Sequence, residues 1–160
     1  MRKINWDKVK IFPLSSHVLK GAAAIKKYCM SGNAIVTLTS PSGVHYTYFI
    51  RAPWLDDKSE FTEDVRFVYV LRSDGKWLYI GGLYKDGTIF RRTKNSSVRE
   101  SSESFKGMKY LVKMMNHEFE TPMIVQHEGA CGRCGRRLTD PVSIETGIGP
   151  KCMNLIQHGT

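Results

Sequence analysis

Gly32-Asn-Ala-Ile-Val-Thr-Leu-Thr-Ser-Pro-Ser-Gly-Val-His-Tyr-Thr-Tyr-Phe-Ile-Arg51 holds two runs of β-branched and aromatic residues separated by Pro41-Ser-Gly43. Such residues suit a pleated, half-buried surface, and the Pro/Ser/Gly cluster supplies turn geometry. The spacing predicts strands over 33–40 and 45–52. Val36, Leu38, Tyr46, Tyr48 and Ile50 alternate with polar neighbours, which marks a sheet with one buried face. Three more strands are predicted near 65–72, 76–82 and 87–92, linked by the Ser73-Asp-Gly75 and Lys85-Asp-Gly87 turns. Trp54 to Asp64 reads as a charged loop.

Helical periodicity flanks this β-rich centre. Ser15-Ser16 followed by His17 through Met30 reads as a capped helix ending at Gly32, with Val18, Ala22, Ile25 and Cys29 on its apolar face. Cys29, between Tyr28 and Met30, is expected to be a core thiol. Asn95 to Ser104 is serine-rich and reads as a linker that caps a second helix. That helix should bury Phe105, Met108, Leu111, Val112 and Met115. The expected class is α+β: an antiparallel β-sheet with flanking helices, plus a small C-terminal treble-clef-like zinc finger. The expected division is a basic α+β domain over residues 1–120 and a zinc-finger domain over 121–160. A chain of 160 residues with 41% hydrophobic content suffices for one core and such an appendage.

The tail carries the chemistry. Cys131 and Cys134 form a CxxC pair, and Cys152 follows with seventeen residues between. Soft sulfur donors at this spacing suit a tetrahedral Zn²⁺, with Gly132 and Gly135 letting backbone N–H groups approach the sulfurs. Nothing around the pair resembles the βαβ unit of a thioredoxin-type redox site. The fourth donor is His127 or His158, and His127 is favoured because chain ends fray. A closed four-ligand set predicts a structural metal. Arg136 to Pro141 reads as a short strand entering a turn, with Pro141 stopping any helix. Gly147-Ile-Gly-Pro-Lys151 opens a short helix with Cys152 in its first turn. The same turn is similar to the hairpin of helix-hairpin-helix DNA-binding motifs, where backbone N–H groups hold a phosphate; glycines needed to wrap the chain around zinc account for it equally.

His127-Glu-Gly-Ala-Cys-Gly-Arg-Cys-Gly-Arg-Arg-Leu-Thr-Asp-Pro-Val-Ser-Ile-Glu-Thr-Gly-Ile-Gly-Pro-Lys-Cys152 resembles a tail of uncharacterised phage and bacterial proteins. That domain-of-unknown-function family has the pattern H-E-G-x-C-G-R-C-G-R-x-L-T-x-P-x-S-I-x-x-G-I-G-P-x-C. The resemblance extends more weakly over 30–153, through the β-rich runs at 32–40, 45–51, 67–71 and 79–84. It implies a phage or mobile-element origin, supports His127 as fourth ligand, and carries no activity.

Formal net charge is +9, unevenly spread. Residues 1–30 hold seven Lys/Arg against Asp7 alone, and residues 84–113 hold eight against three acidic groups. Concentrated positive charge favours polyanions through counterion release. Arg91, Arg92, Lys94, Arg133, Arg136, Arg137 and Lys151 are the expected phosphate contacts, with Tyr46 or Tyr48 as stacking platforms. No run of eighteen apolar residues and no signal-peptide pattern is present, so no membrane partner is expected. The expected location is the cytoplasm of a bacterial host. Catalysis is not expected. The His-x-Glu spacing of zinc deaminases is missing, and Asp56, Asp57, Glu60, Glu63 and Asp64 crowd into one loop. Two functions follow: a non-catalytic zinc-binding protein that contacts nucleic acid, or a phage inhibitor of a host nucleic-acid-handling enzyme or defence complex, anti-CRISPR-like in mode.

Overall fold

The computed structural model describes residues 4–13, 16–53 and 65–157. A 3-10 turn at Trp6–Lys8 precedes β1 (His17–Val18), α1 (Ala22–Cys29), β2 (Asn33–Thr39), β3 (His45–Arg51), β4 (Arg66–Leu71), β5 (Trp77–Tyr84) and β6 (Ile89–Arg91). Then come α2 (Glu103–Asn116), β7 (Ile124–His127), α3 (Pro141–Thr146) and α4 (Pro150–Gln157). The fold is α+β. Its sheet runs β1-β7-β2-β3-β4-β5-β6 with every pairing antiparallel.

The hairpin that opened the reading forms as expected, in register from Asn33↔Arg51 to Thr39↔His45. Both of its faces are covered, however. Ala34, Val36, Leu38, Tyr48 and Ile50 join the main core with Ile25, Phe105, Met108 and Leu111 of α1 and α2. On the reverse face Ile35, Phe49 and Ala130 lie beneath Ile4, Val9, Ile11 and Phe12 of the N-terminal segment. Glu128 is also buried there, and its Oε1 accepts from Thr37 Oγ1 at 2.7 Å and Gln126 Nε2 at 3.0 Å. Those bonds offset the cost of removing a carboxylate from water.

Four expectations change. His17 and Val18 are strand, paired with His127 and Gln126, and the helix begins only at Ala22. Gly21 at φ 89 turns the chain between them, and Glu118 accepts the Ala22 N–H as the helix cap. Local periodicity cannot register a pairing across about a hundred residues. Ser15 and the Trp54–Asp64 loop with its acidic cluster lie outside the described residues. The serine-rich stretch is tied down rather than loose: Ser97 N–H donates to Tyr79 O at 2.9 Å, and Ser96 Oγ accepts from Thr93 N–H at 2.8 Å. Ser102 caps α2 as its composition suggests, while Met114 takes a buried place and Val112 is half-buried. Finally, the range 121–160 begins inside the sheet, because β7 is hydrogen-bonded between β1 and β2.

Candidate metal centre and its basic cleft

Directly after β7, a bridge between Ala130 and Arg137 closes a tight hairpin. Cys131 N–H donates to Arg136 O, and Gly135 N–H returns to Cys131 O, each at 2.8 Å. Gly135 takes φ 80, which an L side chain rarely adopts. Asp140 then accepts the Ser143 N–H and starts α3 with Pro141 at its first position. The proline therefore opens a helix instead of stopping one, since its missing N–H is not needed there. α4 brings Cys152 back, and the three sulfurs of Cys131, Cys134 and Cys152 lie within 4.8 Å of one another.

Electrostatics favour a bound cation. Burial pushes the Cys131 thiol up, but N–H groups of Gly149, Cys134 and Arg133, with a bond from the Cys134 side chain, bring it net below its usual range. Burial, then the Cys131 charge, raises Cys152 to about 12. Three thiolates cannot share this space without a cation to hold them. A tetrahedral site with Zn–S bonds of about 2.3 Å separates its sulfurs by roughly 3.8 Å, so a small contraction suffices. The donor set fits a metal ion, and zinc is consistent with it.

His127 is not in this cluster. Its Nδ1 accepts from Gly129 N–H at 3.0 Å, and its Nε2 faces Ile144 O, so that nitrogen carries the proton. Its single acceptor lone pair, on Nδ1, is taken by Gly129 N–H, and Nε2 faces a carbonyl. Expectation favoured His127 as fourth ligand because chain ends fray and because the tail's resemblance includes it; here the ring is turned toward α3, with Nε2 against Ile144 O. His158, the other candidate, lies outside the described residues. Cys29 is a buried core thiol, raised to about 12 by burial.

The glycine turn is fully used by the site. Gly147 N–H donates to Ser143 O at 2.8 Å, Ile148 N–H to Thr146 Oγ1 at 3.2 Å, and Gly149 N–H to Cys131 Sγ at 3.3 Å. Gly149 thus turns its N–H to a sulfur, while Gly147 and Ile148 turn theirs to α3, so these three are already committed. Sequence reasoning missed Tyr28, which fastens the site to the sheet. Its hydroxyl accepts from Ile35 N–H at 3.1 Å and sits 3.0 Å from Ala130 O. A Cβ on Gly132 or Gly147 would stand 2.8 or 2.4 Å from its ring. A tyrosine on a lysine-rich helix carries no sequence signal of that role.

The expected cationic residues divide into two groups. Arg133, Arg136, Arg137 and Lys151 line one cleft of about 480 Å³ together with Cys131, Cys134 and Cys152. Arg91, Arg92 and Lys94 lie on and just after β6, at the far edge of the sheet from β7. Tyr48 is fully buried under α2, its hydroxyl donating to Ser104 O, so its ring is closed to a base, whereas Tyr46 on the same face is half-buried. Among the described residues no helix is long and apolar enough to cross a membrane.

A family of unknown function, DUF6011, matches residues 125–154, the stretch from β7 through the cysteine hairpin to α4. No curated protein and no solved structure matches the chain.

Proposed function

We propose that this is a non-catalytic zinc-binding protein that contacts nucleic acid through a basic surface beside its metal site. The observation that carries this is the convergence of Arg133, Arg136, Arg137 and Lys151 on one cleft around the three cysteines. Arg136, Arg137 and Lys151 are exposed there, and guanidinium groups suit phosphate oxygens. Zinc would be held by Cys131, Cys134 and Cys152 and would fix the hairpin against α4. An all-thiol donor set suits a structural rather than a catalytic ion. What supports a phage or mobile-element origin, and a bacterial cytoplasm as working compartment, is the resemblance of the tail.

The test is binding of the zinc-loaded protein to labelled DNA and RNA across a salt series. Affinity should fall steeply with salt, and Arg136→Glu with Arg137→Glu should weaken binding and flatten the slope. Unchanged affinity in that double variant would remove the cleft from the interface. The same resemblance supports a second reading, an inhibitor of a host nucleic-acid-handling complex. A pulldown from host lysate treated with nuclease separates the two, because only a protein partner survives digestion.

A further inference from the structure

The sheet face turned away from α1 and α2 is covered over β2 and β3 by the N-terminal segment. Over β4 and β5 it carries a field of aromatic rings. Cross-strand register places Tyr69 opposite Tyr79 and Phe49 opposite Tyr69, with ring centroids 5.4 and 5.9 Å apart. Trp77 stands 5.8 Å from Phe49 and stacks on Trp6 at 6.4 Å, with 13° between the ring planes. Tyr84 lies across Gly82, where a Cβ would stand 2.4 Å from its hydroxyl oxygen. Tyr69, Trp77, Tyr79 and Tyr84 are half-buried, and Trp6 is 40% exposed. Tyr69 and Trp77 pack against the cluster of Ile35 and Phe49 at its border, with Trp6 beside them, while Tyr79 and Tyr84 lie beyond it. These keep part of their surface in water.

The charge beside the rings is one-sided. Register puts Arg91 opposite Gly82 and hence on the same face as Tyr84, and Arg91, Arg92 and Lys94 are all exposed at that edge. Residues 65–94 hold seven Lys/Arg against two Asp. Rings that offer π surface next to exposed cations match one ligand chemistry: unpaired bases on a phosphate backbone. A duplex keeps its bases stacked on each other and cannot offer them to a flat sheet.

We propose that this face binds single-stranded nucleic acid, with bases stacked on Trp77, Tyr69, Tyr79 and Tyr84 and phosphates held by Arg91 and Lys94 at the β6 edge. A sheet of this kind takes about two or three bases. The proposal rests on the nucleic-acid reading above but assigns a different surface, so the two can fail separately. It also gives a role to the Arg91 and Lys94 group, which the metal-site cleft leaves aside.

The experiment is fluorescence anisotropy of the full zinc-loaded chain with labelled twelve-nucleotide dT and rU strands and a duplex of equal length. Single strands should bind more tightly than duplex. Trp77→Ala and Tyr84→Ala should each weaken single-strand binding by about 5- to 150-fold, and Trp77→Phe and Tyr84→Phe should restore it. Arg136→Glu with Arg137→Glu should leave the preference for single strands in place. Binding should also quench tryptophan emission in the unaltered protein, and Trp77→Phe should reduce that quenching, a readout independent of any misfolded alanine variant. Equal affinity for duplex and single strand, with no loss in the alanine variants and no quenching, would overturn the inference while the nucleic-acid reading stands. No binding to any of the three probes would overturn both.

Discussion

Burial holds the His127 imidazole below its ordinary pKa, with the nearby His17 adding to the effect and the Ile144 carbonyl and Glu128 opposing it. An unfolded histidine titrates near about 6.5. Because the folded value lies lower, protons bind the unfolded chain preferentially. This contribution to stability is full above about pH 6.5 and is lost as pH falls through the folded value. NMR titration of the ring should therefore give a midpoint below about 6.5. Its proton should stay on Nε2, and adding Zn²⁺ should not shift its nitrogens. A large shift on metal addition would return His127 to the ligand set. The residue was visible in the sequence by its position; the role was not, because ring direction depends on which backbone atoms surround it. Cys131 and Cys134 were legible from their CxxC spacing, and Cys152 from its thiol and its helix-opening turn, though α4 is what carries it back to them.

α3 shows how one position can end an element and join it to another. Gly147 follows the last turn at φ 79 and leaves no room between its Cα and the Tyr28 ring. Gly147→Ala meets both penalties: about 1–2 kcal/mol for the left-handed backbone and about 1–3 kcal/mol for overpacking. Gly135 has nearly the same φ, at 80, but its nearest neighbour would be the Lys8 carbonyl at 4.0 Å. Gly135→Ala should therefore lose only the backbone share. Urea unfolding of both variants checks this, and equal losses would remove Tyr28 from the account. Among the elements, the β2–β3 hairpin and the strands through β6 were legible from alternation and turn residues. β1 was not, since two residues hold no period. Pro141 was misread because a proline that stops one helix is equally suited to open the next.

Across the whole molecule, the cysteine hairpin shares its supports with the sheet. β7 runs directly into it, Tyr28 joins α1 to Ala130, and Asn33 at the start of β2 donates from Nδ2 to Arg133 O at 2.6 Å. Cys131, Leu138, Ile148 and Cys152 belong to the same apolar cluster as Tyr28 and Val36. Removing a metal bound by the three cysteines should thus loosen more than the tail. Chelation, or Cys131→Ser, should lower the thermal midpoint of the entire chain in one cooperative transition. Two separated transitions, with the sheet melting unchanged, would show instead that the tail folds by itself.

By itself the sequence determined the α+β class, the central hairpins, the three sulfur donors and the excess positive charge. Each is set by local spacing or by composition, and neither needs a distant partner. Only the tertiary structure decided that β7 enters the sheet, that His127 bonds to backbone, and that Tyr28 anchors the cysteine hairpin. It also decided which aromatic rings remain in water. Those outcomes depend on contacts between segments that are not neighbours in the chain, whose geometry is fixed by packing and leaves no periodic trace along it.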